Sequence, residues 1–284
     1  MASRTMAARI ERAECETVLA FAAALRARGR DVLIQEIGGA SAVFAGPDQP
    51  INKLAGLGFA GSVEDDALST VERAYDARHA ELRVELATLA DPGVGTLLTR
   101  RAYELIGYEN VLGLPLGGEI VDRLARACEA DVARGVSVSR PREDETRPWI
   151  ETVADGFSHP DQRDGPPPTE SFARETTVDV LSASSGAAGM RLYLARRDGV
   201  VAGGGASRIA DRLLQLAGAA TLPAHRRRGV QSALLRARLL DAARQGCDLA
   251  IVTTEPGSKS QENVQRAGFA LLYARAVLVR RPKA

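Results

Sequence analysis

The sequence predicts an α/β fold with a mixed sheet, arranged as two similar domains, and three observations support this prediction. Apolar segments of strand length alternate with segments of helical periodicity along the 284 residues. Hydrophobic residues make up 45% of the chain and charged residues 26%, which is typical of a globular protein with a substantial core. The order helix, strands, helix, strand, helix, strand occurs in residues 1–130 and again in residues 131–284. We therefore expect one domain in each range.

Turn signals and periodicity predict the elements of the first domain. In order, these are a helix over 6–29, strands over 32–37 and 40–45, a strand over 51–59, a helix over 63–79, a strand over 81–89, a helix from Asp91 and a strand over 108–116. Gly38-Gly39 indicates a hairpin, and Asp91 followed by Pro92 is a typical helix start. Ser62 and Asp65 have the spacing of a capping box.

The second domain follows a polar helix predicted over 119–133. Its first elements are a strand over 136–139, a helix over 141–157, a proline-rich loop over 159–171, and two strands over 190–196 and 200–207 that form a hairpin around Asp198-Gly199. We expect Trp149 in the core rather than as a stacking platform. Gly203-Gly-Gly205 indicates close strand packing or a bulge.

The stretch from Leu213 to Phe269 carries the strongest functional signal. It contains a strand over 213–222, a basic turn over 223–232, an amphipathic helix to about Gln245, and a strand over 248–254. The first N–H groups of a helix have no internal partner and carry partial positive charge, so they attract phosphate. Three arginines at 226–228 stand directly before Gly229 at that helix start. The turn predicts an anion-binding site, and the alternative is an ordinary solvated basic turn.

The segment Arg226-Arg-Arg-Gly-Val-Gln231 resembles the pyrophosphate loop of the GCN5-related N-acetyltransferases (GNAT family), whose pattern is Arg/Gln-x-x-Gly-x-Gly/Ala. Pro223 and the pair Gly268-Phe269 also match that family. The resemblance covers roughly residues 130–284 and implies a GNAT fold, with the first half as a degenerate second copy. It implies acetyl-CoA as co-substrate, bound by Arg226, Arg227, Arg228, Gly229, Val230, Gln231 and Ser232. Gln231 replaces the usual Gly or Ala, so its side chain must turn away from the phosphates or bond to them.

In this family an amine attacks the thioester carbonyl directly, which implies an N-acetyltransferase acting on a small-molecule amine or, less favoured, on a peptide. The strand before the loop aligns pantetheine and polarises the acetyl oxygen, and the matching positions here are Ala219, Ala220 and Thr221. Ser260 and Asn263 are expected at the cofactor, with helix capping as the alternative. The region equivalent to 159–171 borders the acceptor in the family, and a plain surface connection is the alternative.

The catalytic groups are less clearly indicated. The usual general-acid tyrosine of the family falls at Val264 in this chain. Tyr273 is a substitute acid only if its strand points it into the cleft, and core packing is the alternative. Glu255, at the C-terminal end of a central strand, is the candidate base, with a solvated loop acid as the alternative. The missing tyrosine and Gln231 leave a non-catalytic acyl-CoA-binding or sensing protein as the alternative function.

A second glycine motif, Gly56-Leu-Gly-Phe-Ala-Gly61, fits the dinucleotide-binding pattern G-x-G-x-x-G. The acidic residues Glu64, Asp65 and Asp66 follow it and would repel a pyrophosphate at the next helix start. We therefore favour a tight turn, with NAD(P) binding by the first half as the weaker alternative.

Composition limits the partners. The net charge of +1 provides no bulk attraction to nucleic acid or to a membrane surface, and no signal peptide or membrane span is indicated. Cys15, Cys128 and Cys247 are few and widely spaced, which predicts reduced thiols, a cytoplasmic location and no metal site. We expect a monomer or homodimer whose partner is a small-molecule amine.

Overall fold

Helices and strands alternate along the computed structural model, which describes residues 2–61, 63–160 and 172–282. The α-helices are α1 (Arg4–Ala27), α2 (Asp65–Asp76), α3 (Pro92–Arg100), α4 (Ile120–Ala133), α5 (Thr146–Ser158), α6 (Arg174–Ser185), α7 (Val230–Arg244) and α8 (Lys259–Arg266). The strands are β1 (Leu33–Ile37), β2 (Ala40–Phe44), β3 (Lys53–Ala55), β4 (Leu82–Ala87), β5 (Glu104–Pro115), β6 (Val136–Ser139), β7 (Met190–Arg197), β8 (Val200–Ala210), β9 (Leu213–Thr221), β10 (Leu249–Thr254) and β11 (Ala270–Arg280).

All of these strands form one mixed sheet in which the two halves of the chain exchange their last strands. The order across the sheet is β1-β2-β3-β4-β11-β5-β10-β9-β8-β7-β6. The last strand of the chain, β11, lies between β4 and β5 of the first half, and β5 lies between β11 and β10 of the second half. The predicted boundary at residues 130 and 131 falls inside α4 and stays a prediction.

The sheet opens between β9 and β10. These strands are parallel, and their pairing runs only from Leu213 opposite Leu249 to Gln215 opposite Ile251. Beyond that point β9 stays paired with β8 as far as Thr221, while β10 stays paired with β5 as far as Thr254. Each strand therefore follows its outer neighbour, and a V-shaped split forms at their C-terminal ends.

Helices cover both faces of the sheet. On one face α1 packs Ala7, Ile10 and Ala13 against alternate strand residues that include Leu213 and Ile251. On the other face α4, α7 and α8 pack against the intervening residues, which include Leu214 and Ala250. The split therefore has α7 and α8 on one side and α1 on the other.

The glycine run in β8 permits close packing, as predicted. A Cβ on Gly203 would lie 2.7 Å from the carbonyl oxygen of Ala220, and one on Gly204 would lie 2.8 Å from Nε1 of Trp149. The register of β8 against β9 shifts between Gly204 and Ala206, which confirms the predicted bulge. Trp149 is fully buried, and its Nε1–H donates to the carbonyl oxygen of Tyr193 at 3.0 Å, so the prediction of a core role is confirmed.

Several predicted elements differ in extent. The third strand is limited to β3, because Gly56 and Gly58 take φ values of +83° and +89° and turn the chain directly after it. β5 begins at Glu104, before the predicted start, and α6 has no counterpart in the sequence prediction. Ser62 of the predicted capping box and residues 161–171 of the predicted loop lie outside the described residues, and Glu64 is the N-cap of α2.

A buried ionic cluster lies where the exchanged strands meet α1. Arg275 on β11 contacts Glu11 at 2.8 Å, Glu85 at 3.3 Å and Glu109 at 3.4 Å. Lys53 on β3 contacts Glu14 at 2.8 Å and Glu85 at 3.0 Å. Four carboxylates thus share two cations, and the cluster ties both halves of the chain to α1.

The pKa values of two glutamates in this cluster are shifted in opposite directions. Burial alone would raise the pKa of Glu14, but the neighbouring Lys53 and Arg275 lower that pKa to about 2. Burial and the like charge of Glu85 raise the pKa of Glu109 to about 7. The charge of the cluster therefore changes near neutral pH through Glu109.

Candidate active site

The basic turn ends in a helix start whose backbone is arranged for an anion. Gly229 is the N-cap of α7 with φ +83° and ψ −7°, a left-handed conformation that glycine adopts without strain. The first bond of the helix joins the Ala233 N–H to the Gly229 carbonyl oxygen at 2.9 Å. The N–H groups of 230–232 precede it and are the unpaired donors of the helix start. No side chain in the described part of the chain caps them.

The three arginines of the turn occupy different environments. Arg226 is half-buried, and its guanidinium donates to the carbonyl oxygens of Thr221 at 3.3 Å, of Gly156 at 3.2 Å, and of His159. It fastens the turn to the end of α5. Arg227 and Arg228 are exposed, and their guanidiniums have no partner in the described part of the chain. These two supply the cationic surface around the helix start.

A cavity of about 820 Å³ runs from this helix start into the split of the sheet. The sheet contributes Leu216, Ala217, Gly218 and Ala219 from β9, and Val252 and Thr253 from β10. Helix α7 contributes Gln231, Ser232, Leu235, Arg236, Arg238 and Leu239, and α8 contributes Ser260, Asn263, Val264 and Arg266. The wall is polar at the helix starts and mostly apolar in the split, where Arg238 is the charged exception.

The predicted β9 positions lie at different distances from this cavity. Ala219 lines it, in the bulge that also contains Gly218 with φ +39°. The side chain of Ala220 points to the other face and packs against Trp149 and Val153. Thr221 ends the strand, and its hydroxyl donates to Oε1 of Gln231 at 3.5 Å.

The polar residues predicted at the cofactor are brought together. Gln231, Ser232, Ser260 and Asn263 all line the cavity. The N-cap of α8 is Ser258, whose hydroxyl accepts from the Gln261 N–H at 3.2 Å, so Ser260 and Asn263 are not needed as caps. The Gln231 carbonyl is turned toward Thr221, which leaves its NH2 group as a donor at the cavity wall.

The two candidate catalytic residues lie apart. Glu255 is half-buried directly after the last residue of β10 and is not among the residues that line the cavity. Tyr273 is 4% exposed on the α1 face, and its hydroxyl donates to Glu11 at 2.7 Å. Burial and the charge of Glu11 raise the pKa of Tyr273. Tyr273 is therefore a packed aromatic residue with a bound hydroxyl, which is the alternative given above. The position of the family tyrosine, Val264, lines the cavity with an apolar side chain.

Two contributors to the cavity have no counterpart in the sequence prediction. The linking helix α4 forms one wall through Ile120, Arg123, Leu124 and Ala127. The sequence predicts this helix as polar, and the apolar residues four positions apart at Ile120 and Leu124 are the signal that could have indicated its contact face. The other contributor is Arg238, which is 3% exposed on the face of α7 that packs on the sheet.

The glycine motif of the first half is a packed turn. A Cβ on Gly56 would lie 2.4 Å from Sγ of Cys15, and one on Gly58 would lie 2.9 Å from Cβ of Ala90. The carbonyl oxygen of Gly58 accepts from the Asp91 N–H at 2.9 Å. The backbone there approaches protein atoms closely, which supports the interpretation as a tight turn.

Three further observations concern metal sites, membrane spans and cysteines. In residues 2–61, 63–160 and 172–282, no group of three or more His, Cys, Asp or Glu side chains could hold a metal ion. None of the described helices has the length and apolar character that a membrane span needs. Cys15, Cys128 and Cys247 are free thiols.

The mixed sheet thus splits beside a glycine-capped, cationic helix start. Residues 149–269 match the family model described as the Acetyltransferase (GNAT) family. This part of the chain is a GNAT acyltransferase domain, and the resemblance found in the segment Arg226–Gln231 is confirmed.

Solved structures extend the similarity of fold to the whole chain. A GCN5-related N-acetyltransferase from Kribbella flavida is 19% identical with a TM-score of 0.65, and the match covers 98% of this chain and 96% of that one. A tandem GNAT protein from the clavulanic acid biosynthesis pathway is 14% identical with a TM-score of 0.58, covering 86% and 79%. A GCN5-related N-acetyltransferase from Sphaerobacter thermophilus is 13% identical with a TM-score of 0.54, covering 86% and 82%. At these identities the likeness establishes the tandem GNAT fold. Comparison with curated proteins gives no significant match.

Proposed function

We propose that the protein is an acetyl-CoA-dependent N-acetyltransferase that transfers an acetyl group to an amine of a small molecule. The observation that carries this proposal is the continuity between the anion-binding start of α7 and the split of the sheet. The diphosphate of coenzyme A would lie on the N–H groups of 230–232, beside Arg227 and Arg228. The pantetheine arm would then follow the cavity between β9 and β10.

The reaction needs little more than this geometry. The amine nitrogen attacks the thioester carbonyl, a C–N bond forms, and the C–S bond breaks to release coenzyme A as a thiolate. The bulge at Gly218 and Ala219 lies in the split, where backbone donors would stabilise the oxyanion. The proton of the ammonium group passes to a base, for which Glu255 at the carboxyl end of β10 is the candidate, and finally to the thiolate.

Thiol release from acetyl-CoA over a panel of primary amines tests the proposal. The wild-type protein should release coenzyme A with at least one amine. Arg228→Glu should lose donor affinity, because it reverses a charge at the helix start. Arg147→Glu is the matched control. Like Arg228, Arg147 is exposed and has no partner among the described residues, but it lies at the start of α5, whereas the basic turn contacts the end of α5. Equal loss in the two variants would contradict the assignment of the site.

A second pair of variants separates the catalytic candidates. Glu255→Gln should lower kcat by about 10²-fold, which is the usual contribution of a general base. Tyr273→Phe should leave kcat unchanged, because its hydroxyl is bound to Glu11 away from the cavity. A large loss of kcat in Tyr273→Phe, with the kcat of Glu255→Gln unchanged, would instead assign the catalytic role to Tyr273 and a structural role to Glu255.

Val264, at the position of the family tyrosine, has an apolar side chain that cannot act as an acid, so a second candidate function is that of a non-catalytic acyl-CoA sensor. The same assay distinguishes the two. Coenzyme A binding without thiol release on any amine of the panel would favour the sensor.

The free thiols fit a reducing compartment, and we infer a cytoplasmic location.

A further inference from the structure

Arg238 is a buried cation on the face of α7 that packs on the sheet. It is 3% exposed, and it forms no ion pair with any carboxylate in the described part of the chain. Its Nε donates to the carbonyl oxygen of Leu234 at 3.0 Å, and its Nη1 donates to those of Ala206 at 3.1 Å and Ala217 at 3.4 Å. Nη2 has no partner among the described residues. By contrast Arg236, on the same helix and lining the same cavity, contacts Asp131 at 2.6 Å.

The strands are shaped to admit this guanidinium. A Cβ on Gly205 would lie 3.3 Å from Cζ of Arg238, so the third glycine of the β8 run leaves space for it. Ala206 and Ala217 are paired directly after the register shift between β8 and β9, so two of its acceptors frame the bulge. Arg238 therefore lies under the bulge and on the wall of the cavity at the same time.

An uncompensated charge at this depth calls for an anion. Neutral carbonyl groups satisfy two of its nitrogens but leave its charge unopposed, and a buried charge is costly unless it is paired. Burial lowers the pKa of Arg238 to about 10, and the guanidinium stays charged at neutral pH. The β9 residues of the cavity wall, Leu216 to Ala219, carry no charge, and no carboxylate of the described residues pairs with Arg238, which points to the occupant as the source of the anion.

The position of Arg238 along α7 indicates which part of a bound acyl donor would contact it. Arg238 is nine residues beyond Gly229, which at 1.5 Å per residue is about 13 Å along the axis of α7. A diphosphate bound at the helix start is therefore too distant to neutralise it. The pantetheine arm between is uncharged. What reaches the bulge is the thioester end of the donor, and the acyl group is the only variable part of that end.

We propose that the cavity binds acyl donors whose acyl chain ends in a carboxylate, such as the malonyl or succinyl thioester of coenzyme A, and that Arg238 pairs with that carboxylate. This inference rests on the coenzyme A site of the proposed function, and it replaces acetyl by a carboxylate-bearing acyl group as the preferred donor. The transfer itself is unchanged: the amine forms the C–N bond at the thioester carbonyl, the thiolate leaves and takes up a proton, and the distal carboxylate stays intact. Arg238 is then the residue that selects the acyl group.

Calorimetric titration with succinyl-CoA, butyryl-CoA and free coenzyme A tests the proposal without an acceptor. Succinyl and butyryl chains both have four carbons and differ in the terminal carboxylate. The wild-type protein should bind succinyl-CoA more tightly than butyryl-CoA by about tenfold or more, a ratio that corresponds to about 1.4 kcal/mol. Arg238→Met should remove this preference and keep the affinity for free coenzyme A, and Arg238→Lys should keep part of the preference. Arg236→Met is the matched control and should leave the ratio unchanged.

The outcomes are distinct. Equal wild-type affinities for succinyl-CoA and butyryl-CoA would overturn the inference, as would an Arg238→Met variant that weakens all donors by the same factor, since that would indicate a role in the bulge alone. Should Arg238→Met not fold, the wild-type ratio and Arg238→Lys still decide. Failure of free coenzyme A to bind would overturn the proposed function instead.

Discussion

Replacing Gly229 by alanine tests the helix start at α7, and the chain supplies its own control. Gly229 and Gly246 stand at opposite ends of this helix with φ of +83° and +78°, and a Cβ on either would meet no protein atom within 4 Å. In each case the cost to stability is the left-handed backbone alone, about 1–2 kcal/mol for a residue with a Cβ. We expect both variants to lose similar stability, about 2–4 °C in Tm for each kcal/mol.

Coenzyme A affinity should separate the two variants. In Gly229→Ala the methyl group stands beside the N–H donors of 230–232, and relaxation of the strained backbone turns those donors away from the diphosphate. We expect its Kd for coenzyme A to rise by about tenfold or more, equivalent to about 1.4 kcal/mol, while Gly246→Ala binds like the wild type. Thermal unfolding followed by calorimetric titration measures both quantities. Equal affinities at equal stability would show that the start of α7 does not bind the diphosphate.

Three further predictions concern the fold. Burial and the like charge of Glu85 raise the pKa of Glu109 to about 7, so the stability that its protonated form contributes is complete below about pH 4.5 and is lost as the pH rises through 7. In urea unfolding, Glu109→Gln should therefore gain stability relative to wild type between pH 5 and 8. Parallel pH profiles of the two proteins would contradict this. Arg275→Met leaves three carboxylates without their shared cation and should lower the free energy of unfolding by about 3–5 kcal/mol; a loss below 1 kcal/mol would show that the cluster reorganises. Gly204→Ala places a Cβ against Trp149 and should cost about 1–3 kcal/mol, with an unchanged midpoint in guanidinium as the contrary result.

Most elements could be predicted from the sequence because each depends on residues that lie close together in the chain. The hairpin around Asp198-Gly199, the capped start of α3 at Asp91 and the end of α7 at Gly246 each depend on residues a few positions apart. The anion site depends on the same kind of signal, since the arginines at 226–228 and Gly229 are consecutive. In each of these cases the residues that signal the structure are adjacent in the chain to the structure they produce.

The strand exchange depends on contacts that are remote in sequence. β5 and β11 are apolar and of strand length, and nothing in either shows which neighbour it pairs with. Glu109 lies opposite Arg275, and that pairing spans 166 residues. The charged partners of Arg275 lie on α1, β4 and β5, so their complementarity emerges only when the sheet is assembled.

Helix α6 and the inner face of α7 escaped prediction for other reasons. The α6 segment is rich in Thr, Val and Ser, which have modest helix propensity, so packing against α5 decides its conformation. On α7 an amphipathic helix with one apolar face was predicted, whereas the buried residues include Leu235 and Arg238 as well as Ala233 and Leu234. The helix is covered on two sides, by the sheet and by α4, and a single stripe does not describe it.

A crystal structure of the complex with coenzyme A would show whether the start of α7 and the split bind the donor. We expect electron density for the diphosphate within hydrogen-bonding distance of the N–H groups of 230–232, with the sulfur in the split near Ala219. Density for the diphosphate away from the start of α7, or an empty split at saturating coenzyme A, would contradict this expectation.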